Sequence, residues 1–349
     1  MKILSIVGAR PQFIKLAPLS KEIRKFHQEI IVHTGQHFDE EMSKTFFVDL
    51  NIPQPDYNLE ISGGNHGEQT GKMLHSLEIV LLNEKPDLVI VFGDTNSTIA
   101  ASLAAVKLGI KTVHVEAGLR SFNRSMPEEI NRIVSDHTSD YLFVPTAIAI
   151  KNLEREGLGT KSYLTGDIMV DSLGYASSIA FSNNRSKNFN NYFLLTLHRP
   201  YNVDNPQKLS KILELLNSLN ELIVFPIHPR TKQIIEKNNI PINSNIKLIN
   251  PLGYLDFIAL QSNAKKIITD SGGIQKEAYI LQKPCITLRS ETEWIETVES
   301  GWNMLLNVEK DNEIVENIIQ FSPPKDHPDL FGSNVSEKMV KIINEIVKG

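Results

Sequence analysis

The sequence predicts an α/β chain built as two doubly wound parallel-sheet domains. Three observations predict it. Short apolar runs bounded by Gly, Pro or Asp alternate with longer amphipathic stretches, the pattern of strands buried on both faces and joined by crossover helices. The alternation comes in two series, parted by the Asn- and Ser-rich segment Ser182 to Asn191, which has little to bury. Finally, 349 residues exceed what one hydrophobic core usually supports. Domains are expected over 1–170 and 171–330, followed by a C-terminal helix within 331–349.

The first series of strands is Ile3 to Val7, Ile30 to His33, Leu88 to Phe92, Thr112 to Val115 and Tyr141 to Val144. The second is Tyr192 to Leu197, Leu222 to Ile227, Ile246 to Ile249, Ile267 to Thr269 and Cys285 to Leu288. Among the helices Pro206 to Leu219 is clearest: Leu209, Ile212, Leu213, Leu216 and Leu219 recur at helical spacing, and Pro206 suits a first turn. Val335 to Val347 is helical by period, though the period does not say which domain it packs on. Open sheets of this kind bind ligands outside the carboxyl ends of their strands, and two facing domains are expected to enclose a cleft.

Composition narrows the function. A net charge of -5 argues against a general nucleic-acid binder, which needs a basic face. Cys285 is the sole cysteine, so a thiolate zinc cage and an intrachain disulfide are both excluded, and a reducing compartment fits. The apolar run after Met1-Lys2 is too short for a signal peptide, and nothing approaches a membrane span. A cytoplasmic protein is expected.

The chemistry-bearing residues cluster after strands. Following the first strand, Gly8-Ala9-Arg10-Pro11 lacks the Gly-x-Gly-x-x-Gly pattern that admits a dinucleotide, which counts against a nicotinamide enzyme. Arg10 and Lys15 sit instead at a strand-to-helix turn, either as an anion site or as a solvated basic turn. Asp94, in Gly93-Asp94-Thr95-Asn96-Ser97, is a site acid or a helix cap. Glu116 ends an apolar strand, where a charge is costly unless paired or functional, and Arg120 or Arg132 would neutralise it in a structural salt bridge. With Glu128, these acids would bring three carboxylates to one rim, where like charges raise one another's pKa for proton transfer.

In the second half, His198-Arg199 and His228 end successive strands, and their spacing without a third ligand points to phosphate contacts rather than a metal. Asp270-Ser271-Gly272-Gly273 closes a strand and opens a helix, a geometry that lets backbone N–H groups meet a pyrophosphate, with Glu277 one turn on to accept from ribose hydroxyls. Tight packing alone would also call for such a Gly-rich turn. Arg289 follows the next strand, within reach of a nucleotide.

Taken in order, Gly8-x-Arg10-Pro11 with Lys15, Gly93-Asp94-Thr95, His114-Val115-Glu116-Ala117-Gly118, Pro127-Glu128-Glu129, His198-Arg199 and Asp270-Ser271-Gly272-Gly273 resemble the non-hydrolysing UDP-N-acetylglucosamine 2-epimerase family along nearly the whole chain. The resemblance implies the glycosyltransferase-B architecture, two Rossmann-like domains around a nucleotide-sugar cleft, assembled as a homodimer and acting in polysaccharide synthesis without metal or redox cofactor. It implies interconversion of UDP-GlcNAc and UDP-ManNAc by expulsion and re-addition of UDP through a 2-acetamidoglucal. Asp94, Glu116 and Glu128 would be the acid and base candidates. Arg10, Lys15 and His198 would stabilise the departing diphosphate, and Ser271, Gly272, Gly273 and Glu277 would hold UDP.

The chain departs from the family's common pattern in two places. Pro200-Tyr201-Asn202 follows His-Arg where a Glu often stands, and Thr292-Glu293-Trp294-Ile295 replaces Thr-Glu-Arg-Pro. Together with the short segment from Glu116 to Pro127, these traits resemble the branch acting on UDP-2,3-diacetamido-glucuronic acid. A glycosyltransferase of the same architecture, using its carboxylates to activate an acceptor hydroxyl, is the alternative of another class.

Overall fold

A computed structural model describes residues 1–36, 46–182 and 189–346, and most of the segment expected to separate the domains therefore lies outside the described residues. The chain divides into two compact units, Met1–Tyr175 with Phe331–Gly349, and Ala176–Leu330.

Unit 1 holds the strands β1 (Lys2–Val7), β2 (Gln28–His33), β3 (Tyr57–Asn58), β4 (Leu88–Phe92), β5 (Lys111–Val115), β6 (Tyr141–Val144) and β7 (Ser162–Leu164), in the order β3-β2-β1-β4-β5-β6-β7. All pairings are parallel. The helices that matter for the site are α1 (Arg10–Ile23), α2 (His66–Glu84), α3 (Asn96–Lys107) and α4 (Pro127–Thr138). Because side chains alternate along a strand, Leu4 and Ile6 face one layer, where they pack with Val89 and Val91 against Met73, Leu77 and Leu81 of α2 and the alanines Ala100, Ala101, Ala104 and Ala105 of α3. Those alanines bring α3 close to the sheet and to α2.

The chain returns to unit 1 at its end. Asp167 N–H donates to Phe331 O at 2.7 Å, and the Asp171 carboxylate accepts from the backbone of Val335 and Ser336 at 3.1 and 2.7 Å, closing the free N–H groups of the helix Val335–Ile346. That helix lies against α1. It belongs to the first unit rather than standing apart, since its strongly apolar face, Val335, Met339, Val340 and Ile343, is wholly buried.

Unit 2 repeats the plan with β8 (Tyr192–Thr196), β9 (Leu222–Pro226), β10 (Ile246–Ile249), β11 (Lys266–Thr269), β12 (Cys285–Thr287) and β13 (Asn303–Leu305), ordered β10-β9-β8-β11-β12-β13. Phe193, Leu195, Phe225, Ile268 and Ile286 join Leu209, Ile212, Leu213 and Leu216 of the helix Pro206–Asn217 on one face, while Leu194, Val224, Ile267 and Cys285 pack on the other. Both units are doubly wound α/β sheets. In each, strand order reverses beside the first strand, between β1 and β4 and between β8 and β11, and a crevice at the carboxyl ends follows at each reversal.

Candidate active site

In unit 1 the reversal point is laced together by Gln12 of α1. Its Oε1 accepts from Gly8 N–H at 2.7 Å and Ala9 N–H at 3.0 Å, and its Nε2 donates to Phe92 O at 2.7 Å and Thr95 Oγ1 at 3.0 Å, so the turns after β1 and β4 are held as one piece. Gly8 is required for space: a Cβ there would lie 2.0 Å from Thr34 Oγ1 and 2.2 Å from Ser97 Oγ.

Onto this frame the fold brings charges that lie far apart in sequence. Lys15, nearly buried, forms an ion pair with Glu116 at the end of β5. The turn at Gly93 passes beside them; a Cβ on Gly93 would stand 3.4 Å from Glu116 Oε2 and 3.6 Å from Lys15 Nζ, and its φ of 62° is the left-handed conformation glycine adopts freely. Glu116 itself has φ of 72°, a strained setting for a side-chain residue and one that clusters at functional sites. Asp94 pairs with Arg132 of α4, and Asn131 Nδ2 donates to Asp94 O at 3.0 Å.

Two expectations are corrected here. Asp94 is not the cap of α3, because Thr95 accepts from Thr98 N–H in that role. Neither Arg120 nor Arg132 neutralises Glu116; Lys15 does, from the other side of the sheet order. Asp94 and Glu116 each face a cation, and Glu128 stands exposed on the first turn of α4. Pairing with a cation is the cheaper solution for a carboxylate kept from water.

In the first turn of α4 the buried acid is Glu129. Its carboxylate accepts from the N–H groups of Ser121 and Phe122, both at 2.9 Å, and pairs with Arg132 at 2.8 Å. Burial opposes that charge, but the Ser121 and Phe122 donors and the Arg132 cation hold the carboxyl below its ordinary range. Arg132 thus ties the loop before α4 to Asp94. Farther along the helix, Asp136 receives His114 Nδ1 at 2.7 Å and Arg120 at 2.7 Å. Glu129, Arg132, Asp136 and His114 are absent from the sequence-level site, although a polar stripe at helical spacing, Glu129, Arg132 and Asp136, was there to be read as a buried face. Arg10 is half-buried at the first turn of α1.

In unit 2, Asp270 at the end of β11 is fully buried and gathers the turn after β8. It accepts from His198 N–H at 3.1 Å, Arg199 N–H at 3.1 Å and Asn202 Nδ2 at 3.1 Å. The His198 ring lies 3.4 Å from the same carboxylate. Burial, helped by Arg199 and opposed by Asp270, lowers the His198 pKa. Ser271 precedes the helix Gly272–Ile280 as its N-cap. Burial raises the Glu277 pKa against Gln261, which donates to it at 2.7 Å, and Lys276. Arg289 pairs with Glu293 at 2.9 Å, and the Glu293 carboxylate lies over Gly272, at the positive end of that helix. Lys276 sits 4.6 Å over the Trp294 ring. His228 is exposed and caps the helix Pro229–Lys237 by accepting from Arg230 N–H at 3.2 Å.

Each unit places a group of polar residues at its reversal of strand order, Arg10 and Asp94 in unit 1 and His198, Arg199 and Asp270 in unit 2. Among the described residues no helix is long and apolar enough to cross a membrane. Comparison with known proteins shows the family. Residues 21–344 match the family model described as UDP-N-acetylglucosamine 2-epimerase. A Methanococcus maripaludis UDP-N-acetylglucosamine 2-epimerase homolog is 52% identical over 99% of this chain and 100% of its own. A Pseudomonas aeruginosa UDP-2,3-diacetamido-2,3-dideoxy-D-glucuronate 2-epimerase is 49% identical over 89% of this chain and 90% of its own. The Methanocaldococcus jannaschii UDP-GlcNAc 2-epimerase, solved in complex with UDP-GlcNAc and UDP, superposes with a TM-score of 0.83 at 46% identity, covering 99% of this chain and 100% of that one. Motifs, fold and relatives converge, and the chain belongs to the UDP-N-acetylglucosamine 2-epimerase family.

Proposed function

We propose that this chain is an isomerase that inverts C2 of a UDP-N-acetylhexosamine, interconverting UDP-GlcNAc and UDP-ManNAc, by eliminating UDP and adding it back. The observation that carries the reading is that the motifs at Gly8, Gly93, His198 and Asp270 fall on the loops at the two reversals of strand order, where doubly wound sheets bind ligands.

A carboxylate of unit 1 takes the proton from C2 while the C1–O bond breaks, its electron pair leaving on the β-phosphate and a C1–C2 double bond forming. UDP then adds back to C1 as a proton reaches C2 from the opposite face. Glu116, Asp94 and Glu128 are assigned as the acid and base of this step; Glu116 faces Lys15, Asp94 faces Arg132 and Glu128 stands at the surface. Arg10 and Lys15 supply positive charge, and His198 a hydrogen-bond donor, to the leaving diphosphate. Ser271, Gly272, Gly273 and Glu277 hold UDP, with Arg199, His228 and Arg289 as further contacts. No metal or nicotinamide enters this scheme. We assign the enzyme to the cytoplasm as a homodimer supplying cell-surface polysaccharide synthesis.

A second reading concerns the sugar. The Pseudomonas relative at 49% identity and the Trp294 substitution both favour UDP-2,3-diacetamido-glucuronic acid. One experiment tests both. Purified protein is incubated in deuterated buffer with each nucleotide sugar in turn, and the anomeric signals and the C2 proton are followed by NMR. Epimerised product carrying deuterium at C2 is expected from one of the two; epimerised product with unlabelled C2 would refute the elimination route.

A further inference from the structure

We propose that His114 and Asp136 form a positioning pair that sets the two turns carrying Asp94 and Glu116, and so governs the chemical step rather than nucleotide binding. The inference rests on the elimination reading above. His114 lies near the end of β5 between Val113 and Val115, and it is completely buried. Its ring spans two elements. Nδ1 lies 2.7 Å from Asp136 Oδ1 on α4, and Nε2 lies 2.6 Å from Gly93 O, the carbonyl that immediately precedes Asp94.

The other Asp136 oxygen accepts from Gly118 N–H at 3.1 Å, two residues beyond Glu116, and from Arg120 at 2.7 Å. Arg120 in turn holds Glu156 through two bonds of 2.7 Å, which keeps the Asp136 side of the network stationary. One buried carboxylate and one imidazole thereby grip the backbone next to both reacting acids. The gripped turns are conformationally unusual: Gly93, Glu116 and Gly118 all have left-handed φ, at 62°, 72° and 82°. Turns of that kind hold their shape only where their surroundings over-determine it. An apolar residue would fill the same space at lower desolvation cost, so a role confined to packing gives no reason for this pair.

The test compares two replacements of the ring. His114→Leu fills the site and loses both hydrogen bonds, whereas His114→Gln keeps a donor able to reach Gly93 O. Positioning predicts that His114→Leu lowers kcat and the rate of C2 deuterium incorporation about 100-fold, the scale of a displacement of about 1 Å in a catalytic group. KM and the calorimetric Kd for UDP should stay within about twofold, because the proposed UDP contacts of unit 2 are untouched, and His114→Gln should recover about tenfold of the lost rate. If packing were the role, the order would reverse, with the Leu variant near wild type and the Gln variant impaired; that result overturns the proposal. Equal losses in kcat and in UDP affinity also overturn it. Should the Leu chain fail to fold by circular dichroism, His114→Gln is read alone: kcat and the labelling rate about 10-fold below wild type with an unchanged Kd for UDP are expected, and equal losses in both overturn the proposal. Wild-type protein that turns over without labelling C2 would instead refute the elimination reading itself.

Discussion

Replacing Asp136 by Asn should cost unit 1 a large part of its stability. Asp136 is fully buried and accepts from His114, Arg120 and Gly118. An amide keeps one acceptor oxygen but turns an N–H toward a group that itself donates, and it withdraws the negative charge facing Arg120. Each charge-assisted hydrogen bond is worth about 1.5–3 kcal/mol. Breaking a buried pair from one side costs about 3–5 kcal/mol, and Arg120 retains Glu156, so a loss near about 3 kcal/mol is expected. For a unit of this size that corresponds to a fall in Tm of about 6–12 °C. Trp294 and Trp302, the only tryptophans, both lie in unit 2, so their fluorescence reports that unit while far-ultraviolet circular dichroism reports both. Urea unfolding of the variant should show an earlier dichroism transition, with the fluorescence midpoint less displaced.

The pH dependence has a definite sign. Burial alone would raise the Asp136 pKa, but His114 and Arg120 outweigh it and hold the carboxyl below its usual value. A carboxylate depressed in the folded state contributes stability above its unfolded pKa of about 3.9 and loses it as pH falls through the folded value. The difference between wild type and variant should thus be full at neutrality and shrink below about pH 4. A loss under about 1 kcal/mol at pH 7, or a gap that widens in acid, would refute the reasoning.

Three further outcomes follow from the site. Glu277→Ala should weaken UDP binding by about 1.5–3 kcal/mol by calorimetry with an unchanged dichroism spectrum, since the lost bonds are charge-assisted; because burial raises the Glu277 pKa, wild-type affinity should also fall as the pH is lowered through that raised pKa. Asp94→Asn and Glu128→Gln should each nearly abolish C2 deuterium incorporation while leaving UDP binding intact, and a variant that still exchanges would lose its assigned role. Glu293→Gln should tighten UDP binding by about 0.3–1 kcal/mol, because it removes a carboxylate from the helix N-terminus that the diphosphate is proposed to occupy; weaker binding would show that Glu293 contacts the ligand favourably instead.

The sequence by itself determined the fold class and most of the motif loops, for a physical reason. A strand buried on both faces must be apolar throughout, so β1, β4, β8 and β11 announce themselves as runs, and a turn that follows such a run lies at a carboxyl end. The edge strands Tyr57–Asn58, Ser162–Leu164 and Asn303–Leu305 escaped notice because short strands covered on one side need no such run. Which helix closes unit 1 was equally hidden: the period of Val335–Ile346 shows an apolar face, but not what covers it. Above all, the sequence did not contain the pairing of charges. Lys15 and Glu116 lie 101 residues apart, Asp94 and Arg132 are 38 apart, and His114 and Asp136 are 22 apart. For Glu116 the chain offered Arg120, four residues on, as another partner. Ion pairs this far from water form only where backbone register places both groups at contact distance, and that register belongs to the order of β1, β4 and β5 and the seat of α4, which tertiary packing alone decides.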